Sequence, residues 1–233
     1  MFNDANYAAN AGLGFRWLNC SWNQVWGVNC FYDYFETSLR PYNQVSAGLE
    51  ILSETWGVQF NGYVPVGHRK TDLYEFSYLN ISPDGFLVKG KEQFAMNGID
   101  AEVGYRLSDI NHFDFYAGAG PYYYWGNSAA IENAFRSADK HAVGGRLRAS
   151  AFYRKYVSFE GIATYDSLFN WGGQMTLAIT IPFDFTWDTG DCRTSYPLQE
   201  RLYQPVRRNE IIVIDRINRF SSNPDILNPE FEP

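Results

Sequence analysis

Gln44-Val45-Ser46-Ala47-Gly48-Leu49-Glu50-Ile51 places Gln44, Ser46, Gly48 and Glu50 on one side of a pleated strand and Val45, Ala47, Leu49 and Ile51 on the other. Successive side chains of a strand point to opposite faces, so this period of two marks a strand with one polar and one apolar side. The same reading extends outward in both directions. Ala11, Leu13, Phe15 and Trp17 alternate with Gly12, Gly14 and Arg16, and Val58, Phe60 and Val64 alternate with Gln59, Asn61 and Tyr63. Ile99 to Leu107 carries Asp100, Glu102, Gly104 and Arg106 on its polar side, and Val143 to Tyr153 carries Arg146, Arg148 and Ser150. Val157 to Tyr165 carries Ser158, Glu160 and Thr164, and Trp171 to Phe183 carries Gln174, Thr176 and Thr180. Two less regular stretches, about 24–35 with Asn29 and Asp33 and about 112–125 with Asp114 and Gly118, bring the set to about nine strands.

Alternation alone does not say whether the apolar side meets a protein core or lipid. Three features decide for lipid. The stretches run to roughly ten residues, longer than the usual five or six and matched to the roughly 9–11 that cross a bilayer at a tilt. The apolar rows contain no Asp, Glu, Lys or Arg. Aromatic residues gather at strand ends, as at Trp17, Trp22, Trp26, Trp56, Tyr122 to Trp125, Tyr153, Tyr156, Trp171, Phe183 and Phe185, which suits the interfacial girdles of a membrane barrel. A soluble sandwich would place its aromatics mid-strand, in the core.

Composition agrees. The 233 residues are 45% hydrophobic and 18% aromatic, yet mean hydropathy is −0.34, and no run approaches the roughly 18 apolar residues of a membrane helix. A net charge of −7 disfavours nucleic acid, which selects a basic face. Cys20, Cys30 and Cys192 have no metal-type spacing and read as unrelated small residues. Tight connections at Ser53 to Thr55, Ser108 to His112 and Arg154 to Tyr156 contrast with long ones at about 67–94 and 126–140, the turn-and-loop asymmetry of an outer-membrane barrel. The expected fold is therefore an all-β antiparallel transmembrane barrel of about nine to twelve strands over residues 1–185.

Residues 186–233 form a separate unit of helix, linker and disordered tail. Ser195 is a candidate cap and Pro197 falls in the first turn of a helix within Thr194 to Arg208. Leu198, Leu202 and Val206 follow at four-residue spacing until Pro205 ends or kinks the helix. Asn209 to Asp215 reads as extended, and Ser221 to Pro233 as disordered.

Several runs resemble the β-domain of inverse autotransporters, the intimin/invasin family. They are Asn10-Ala-Gly-Leu-Gly-Phe-Arg16, Trp26-Gly-Val-Asn-Cys-Phe-Tyr-Asp-Tyr34, Ser46-Ala-Gly-Leu-Glu50, Asn61-Gly-Tyr-Val-Pro65, Asn97-Gly-Ile-Asp100 and Arg201-Leu-Tyr-Gln-Pro-Val-Arg-Arg-Asn-Glu-Ile-Ile-Val213. Their order matters more than any one of them. The resemblance implies a twelve-stranded outer-membrane barrel, a segment plugging the pore, export of a passenger and, where a passenger exists, a host-cell receptor. The bilayer and the barrel-assembly machinery are the implied partners. A first strand at residues 10–18 running inward, and a start at Met1-Phe-Asn-Asp-Ala5 without a signal peptide, lead to the expectation that further strands lie upstream.

Catalytic signatures fail one by one. His68 stands where a phosphate loop needs Lys, Gly118-Ala-Gly120-Pro121 lacks the third glycine of a dinucleotide turn, and no Gly-x-Ser-x-Gly elbow is present. No cofactor, metal or catalytic residue is expected. Instead, a lumen lined by Arg16, Asn29, Asp33, Glu50, Asn61, Asp100, Glu102, Asp114, Arg146, Arg148 and Glu160 would face a basic tail whose Arg201, Arg207 and Arg208 act as a plug. The function read from this is a translocator or anchor with its pore occupied by its own tail. A passive pore or structural outer-membrane protein, and a soluble carbohydrate-binding sandwich, stay open.

Overall fold

A computed structural model describes residues 7–37, 40–74, 81–82, 85–86, 88–110, 113–126, 140–153, 157–179 and 196–221. Nine long strands make one antiparallel, strongly curled sheet: β1 (Ala8–Asn19), β2 (Gln24–Glu36), β3 (Pro41–Leu52), β4 (Trp56–Val66), β9 (Asn97–Ile110), β10 (Phe113–Gly126), β11 (Lys140–Tyr153), β12 (Val157–Asp166) and β13 (Asn170–Ile179). Each pairs with its neighbour in sequence, β4 passing directly to β9, and β1 and β13 are the two ends of the order. The nine stretches of period-two sequence are these nine strands. Thr180 to Phe183, Tyr156 and Phe185 lie outside the described residues.

Register holds without slip from Asn19↔Gln24 to Ala8↔Phe35 in the first pair and from Leu52↔Gly57 to Asn43↔Val66 in the third. The connections at one end, here the turn end, are short, with Asn23 at φ 50 and Ser53 N–H donating to the Trp56 carbonyl at 2.8 Å. The opposite, loop end is not uniformly long. Thr37 and Arg40 close one tight turn there, and Asp166 Oδ1 closes another by accepting the N–H groups of Leu168 (2.8 Å) and Phe169 (2.5 Å).

The long connection between β4 and β9 is built rather than irregular. It contains β5 (Lys70–Tyr74), β6 (Ile81–Ser82), β7 (Gly85–Phe86) and β8 (Val88–Ala95). β5 and β8 do not widen the large sheet. They pair with each other, and β8 also pairs with a tail strand, β14 (Ile214–Ser221), in a sheet of order β14-β8-β5. Ser221, expected at the start of a disordered stretch, thus ends a strand, and residues 222–233 lie outside the description.

The tail helix is shorter than its spacing suggests. α1 covers Tyr196–Glu200, and a 3-10 turn covers Arg201–Tyr203. It stops at Gln204, whose φ −68 and ψ 144 are extended, because the ring of Pro205 disfavours helical backbone in the residue before it. Val206 therefore leaves the helical row. Ser195 lies outside the described residues.

Burial is inverted relative to a water-soluble domain. Leu13 (85%), Met175 (82%), Ile179 (77%) and Leu177 (72%) stand exposed on the outer side, while Asp33 (1%), Glu102 (1%), Gln44 (2%) and Asp100 (4%) are covered. An apolar exterior around a polar interior is stable only where lipid replaces water outside. On the inner side, aromatic rings cover glycines of the next strand. A Cβ on Gly98 would come within 2.1 Å of the Tyr124 ring opposite it. At Gly120 the neighbouring backbone itself intervenes, with the Ala101 carbonyl 1.8 Å from any added Cβ.

Two readings are corrected here. Tyr122 and Tyr124 are not girdle residues. At 7% and 5% exposure they point to the polar inner side, and only Tyr123 and Trp125 take the outer one. Nor is Cys20 an unrelated small residue: it is disulfide-bonded, while Cys30 is a free, exposed thiol.

Candidate functional site

Alternation brings one face of every central strand together, and the tail lies on that face. At the turn end, Leu198 is fully buried with Val25 and Leu52, flanked by Leu18 and Leu202. Val25 and Leu52 are direct partners across β2 and β3, so an apolar seat is ready where α1 arrives. Arg201, also fully buried, donates to the Glu54 carbonyl (3.1 Å) and to Gln204 Oε1 (3.0 Å).

One step along, Arg16 is held by Glu50 at 2.5 and 3.0 Å. Its Nη1 also reaches the carbonyls of Arg201 (3.1 Å), Leu202 (3.2 Å) and Gln204. Those carbonyls belong to the last turn of the helix and the residue that follows it, where a cation is favoured. Arg106 binds Asp114 on the wall and Glu200 on the tail, the latter at 2.8 Å.

Further along, Arg207 lies over the Tyr116 ring, its guanidinium carbon 3.6 Å from the centroid, in cation–π geometry. Asn61 Nδ2 donates to the Arg207 carbonyl (3.2 Å) and to Asp100 (2.8 Å). Arg208 pairs with Asp33 and sits over the Phe31 ring. Asn209 donates its backbone N–H to Tyr63 (2.7 Å) and its side-chain amide to Tyr124 (2.9 Å). At the loop end Ile212 is buried with Tyr42 and Ala95, and Met96 N–H donates to the Val213 carbonyl at 2.9 Å.

The rest of the polar row is ion-paired within the wall, with Arg146 Nε and Arg148 Nη2 buried without a hydrogen-bond partner. Arg146 meets Asp100 at 2.7 Å, Arg148 meets Glu102 at 3.0 Å and also Glu160, and Tyr116 donates to Glu102 at 2.9 Å. Asn29 shares the row, its side chain against Gly48. Arg16, Arg106, Asp33 and Asn61 thus touch tail residues directly, and Glu50, Asp100, Glu102, Asp114, Arg146, Arg148 and Glu160 belong to the ion pairs and hydrogen bonds beside them. Tyr63, Tyr116, Tyr124 and Asn209 were not singled out. Arg106 was readable, since it continues the row of Asp100 and Glu102, and Tyr63 shares the side of Gln59 and Asn61, whereas nothing local on a strand says which distant partner a tyrosine hydroxyl will hold.

This combination of curled sheet, polar interior and returning basic tail coincides with a family assignment. The family model described as inverse autotransporter, beta-domain, matches residues 2–210. The chain belongs to that family. A solved chain from work described as "Unveiling the Mechanism Behind the in-meso Crystallization of Membrane Proteins" has the same fold, with TM-score 0.55 and 18% identity over 92% of this chain and 82% of that one. No curated protein matches.

As an inverse autotransporter β-domain, the chain is an outer-membrane translocator barrel, of a non-enzymatic family, with lipid around its strands. That removes the soluble sandwich. It also explains the exposed row of Val45 (36%), Leu49 (59%), Phe60 (57%) and Val103 (58%), the side an outer-membrane strand turns to acyl chains.

Proposed function

We propose that this inverse autotransporter β-domain exports or anchors the chain that follows it, with residues 196–221 occupying its lumen. One observation carries the reading: tail and wall run in opposite order. Along β3 the tail's neighbours are Leu52 for Leu198, Glu50 through Arg16 for residues 201–204, Ser46 for Arg208 and Tyr42 for Ile212. Leu52 to Tyr42 spans about 33 Å of strand at ~3.3 Å per residue. At a tilt of roughly 40° that is about 25 Å of depth, the height of a barrel's apolar band. The tail enters at the turn end, in the periplasm, and leaves at the loop end, outside the cell.

On this reading Arg16, Asn29, Asp33, Glu50, Asn61, Asp100, Glu102, Asp114, Arg146, Arg148 and Glu160 line the lumen, and Arg201, Arg207 and Arg208 belong to the plug. Insertion is assigned to the barrel-assembly machinery, and a host-cell receptor to any passenger. Planar-bilayer conductance tests the seat. The full chain should give a closed trace, and deletion of residues 193–233 should open it. Equal conductance for both would leave a passive pore with its tail elsewhere.

A further inference from the structure

We propose that β8 is a strand-capture edge at the loop end, which takes extended segments of the exported chain by main-chain pairing, and that β14 is the segment on which the chain comes to rest. β4 and β9 are neighbours in the large sheet, and antiparallel neighbours can be joined by a turn of a few residues. The chain between Val66 and Asn97 does more than that. β5 and β8 pair with each other from Lys70↔Phe94 to Tyr74↔Gly90, apart from the large sheet, and the other edge of β8 is given to the tail.

That edge is rooted in the wall. Phe94 and Met96 are buried among Tyr63, Tyr122 and Tyr124, with Val213 of the tail packed against the cluster. Tyr42 of β3 donates its hydroxyl to the Gln93 carbonyl at 3.2 Å. Where the ladder begins, the two edges of β8 divide the work. Ala95 N–H donates to the Arg69 carbonyl on the β5 side, and Met96 N–H donates to the Val213 carbonyl on the tail side, both at 2.9 Å. Pairing then runs without slip from Ile214↔Ala95 to Ser221↔Val88.

Main-chain hydrogen bonds give affinity whatever side chains the added strand carries, which suits a partner that passes by as a changing sequence. A slip of one residue turns every side chain to the opposite face, so a strand paired along its whole length resists small backward steps. The alternation of an antiparallel ladder says which donors hold it. With Met96 and Val213 as a hydrogen-bonded pair, the N–H of Ile217 faces β8 and that of Asn218 faces away. The part played in export rests on the seated-tail reading; the main-chain character of the pairing does not.

Full-length protein folded into lipid vesicles is the material for the test, with heat-modifiable gel mobility as the check that the barrel is intact. Three variants are compared with wild type. Ile217→Pro removes a donor to β8, Asn218→Pro removes one that faces away, and a third chain has residues 214–221 replaced by alternating Thr and Val. Hydrogen exchange at the amides of residues 88–96 reads the pairing in all of them, and trypsin cleavage after Arg219 reads it in the proline variants. Ile217→Pro should speed both several-fold, while Asn218→Pro and the Thr–Val chain stay near wild type. Equal behaviour of the two proline variants, or fast exchange in the Thr–Val chain, overturns the capture edge. The expected pattern in a protein whose conductance is unchanged by deletion of residues 193–233 keeps the capture edge and overturns the seated tail alone.

Discussion

Arg208 reaches Asp33 with both arms of its guanidinium, Nη2 to Oδ1 at 2.7 Å and Nη1 to Oδ2 at 2.9 Å, across 175 residues of sequence. Their side chains are 4% and 1% exposed, and the Phe31 ring lies 4.0 Å beneath the guanidinium. A forked pair is directional, so it fixes the depth of the tail as well as holding it. Replacing such a pair by apolar groups can be neutral, but removing one member strands a buried charge at roughly 3–5 kcal/mol.

Asp33→Asn should therefore loosen the tail while the strands fold normally. The check is conductance of the reconstituted full chain, where brief openings should become frequent. A trace as quiet as wild type would show that the tail's position does not depend on this pair.

Arg201 should behave in the opposite way. It is fully buried, both its acceptors are neutral, its Nε has no partner, and among the described residues it makes no ion pair. Arg201→Met keeps most of the volume and removes a costly buried charge, so the tail should seat more firmly, with fewer openings and slower tryptic cleavage at Arg207. More openings than wild type would mean the two neutral hydrogen bonds outweigh desolvation.

Leu49 tests the lipid side. It is 59% exposed within β3, between Val28 and Phe60 on the neighbouring strands. Leu49→Arg should cost about 2 kcal/mol in folding into vesicles, the lower end of the midplane range because the residue lies toward the turn end. Urea titration of refolding measures this, and an unchanged midpoint would contradict a bilayer at that height.

Two glycines give a matched pair. Gly98→Ala drives a Cβ into the Tyr124 ring and should break the hydroxyl's bond with Asn209, whereas a Cβ on Gly62 meets nothing within 4 Å. Gly98→Ala should raise tail cleavage several-fold and Gly62→Ala should not. Equal rates would mean the Tyr124 ring is not a support for the tail.

How much of this was legible follows from the range of each interaction. Which residues form strands, and which side of each is polar, is decided by neighbours two positions apart. The eight residues from Gln44 to Ile51 therefore carry it, and so does the row Asp100, Glu102, Arg106. The acidic wall and the basic tail could be read for the same reason, since both are matters of composition along a line. At Tyr122 to Trp125 both sides of the strand are aromatic, and period two has no contrast to report. Only the register of β10 against β9 and β11 turned Tyr122 and Tyr124 inward.

The tertiary structure alone decided which tail residue meets which wall residue. Asp33 for Arg208, Glu200 for Arg106, and no acid among the described residues for Arg201 follow from the level each side chain reaches when strands of fixed register stack. The same holds for β8 pairing with β14, since Ala95 and Ile214 are far apart in sequence and share no local signal. A sequence carries its own periodicity, which names faces. Depth along a barrel wall is a property of strands taken together, and it appears only once they are paired.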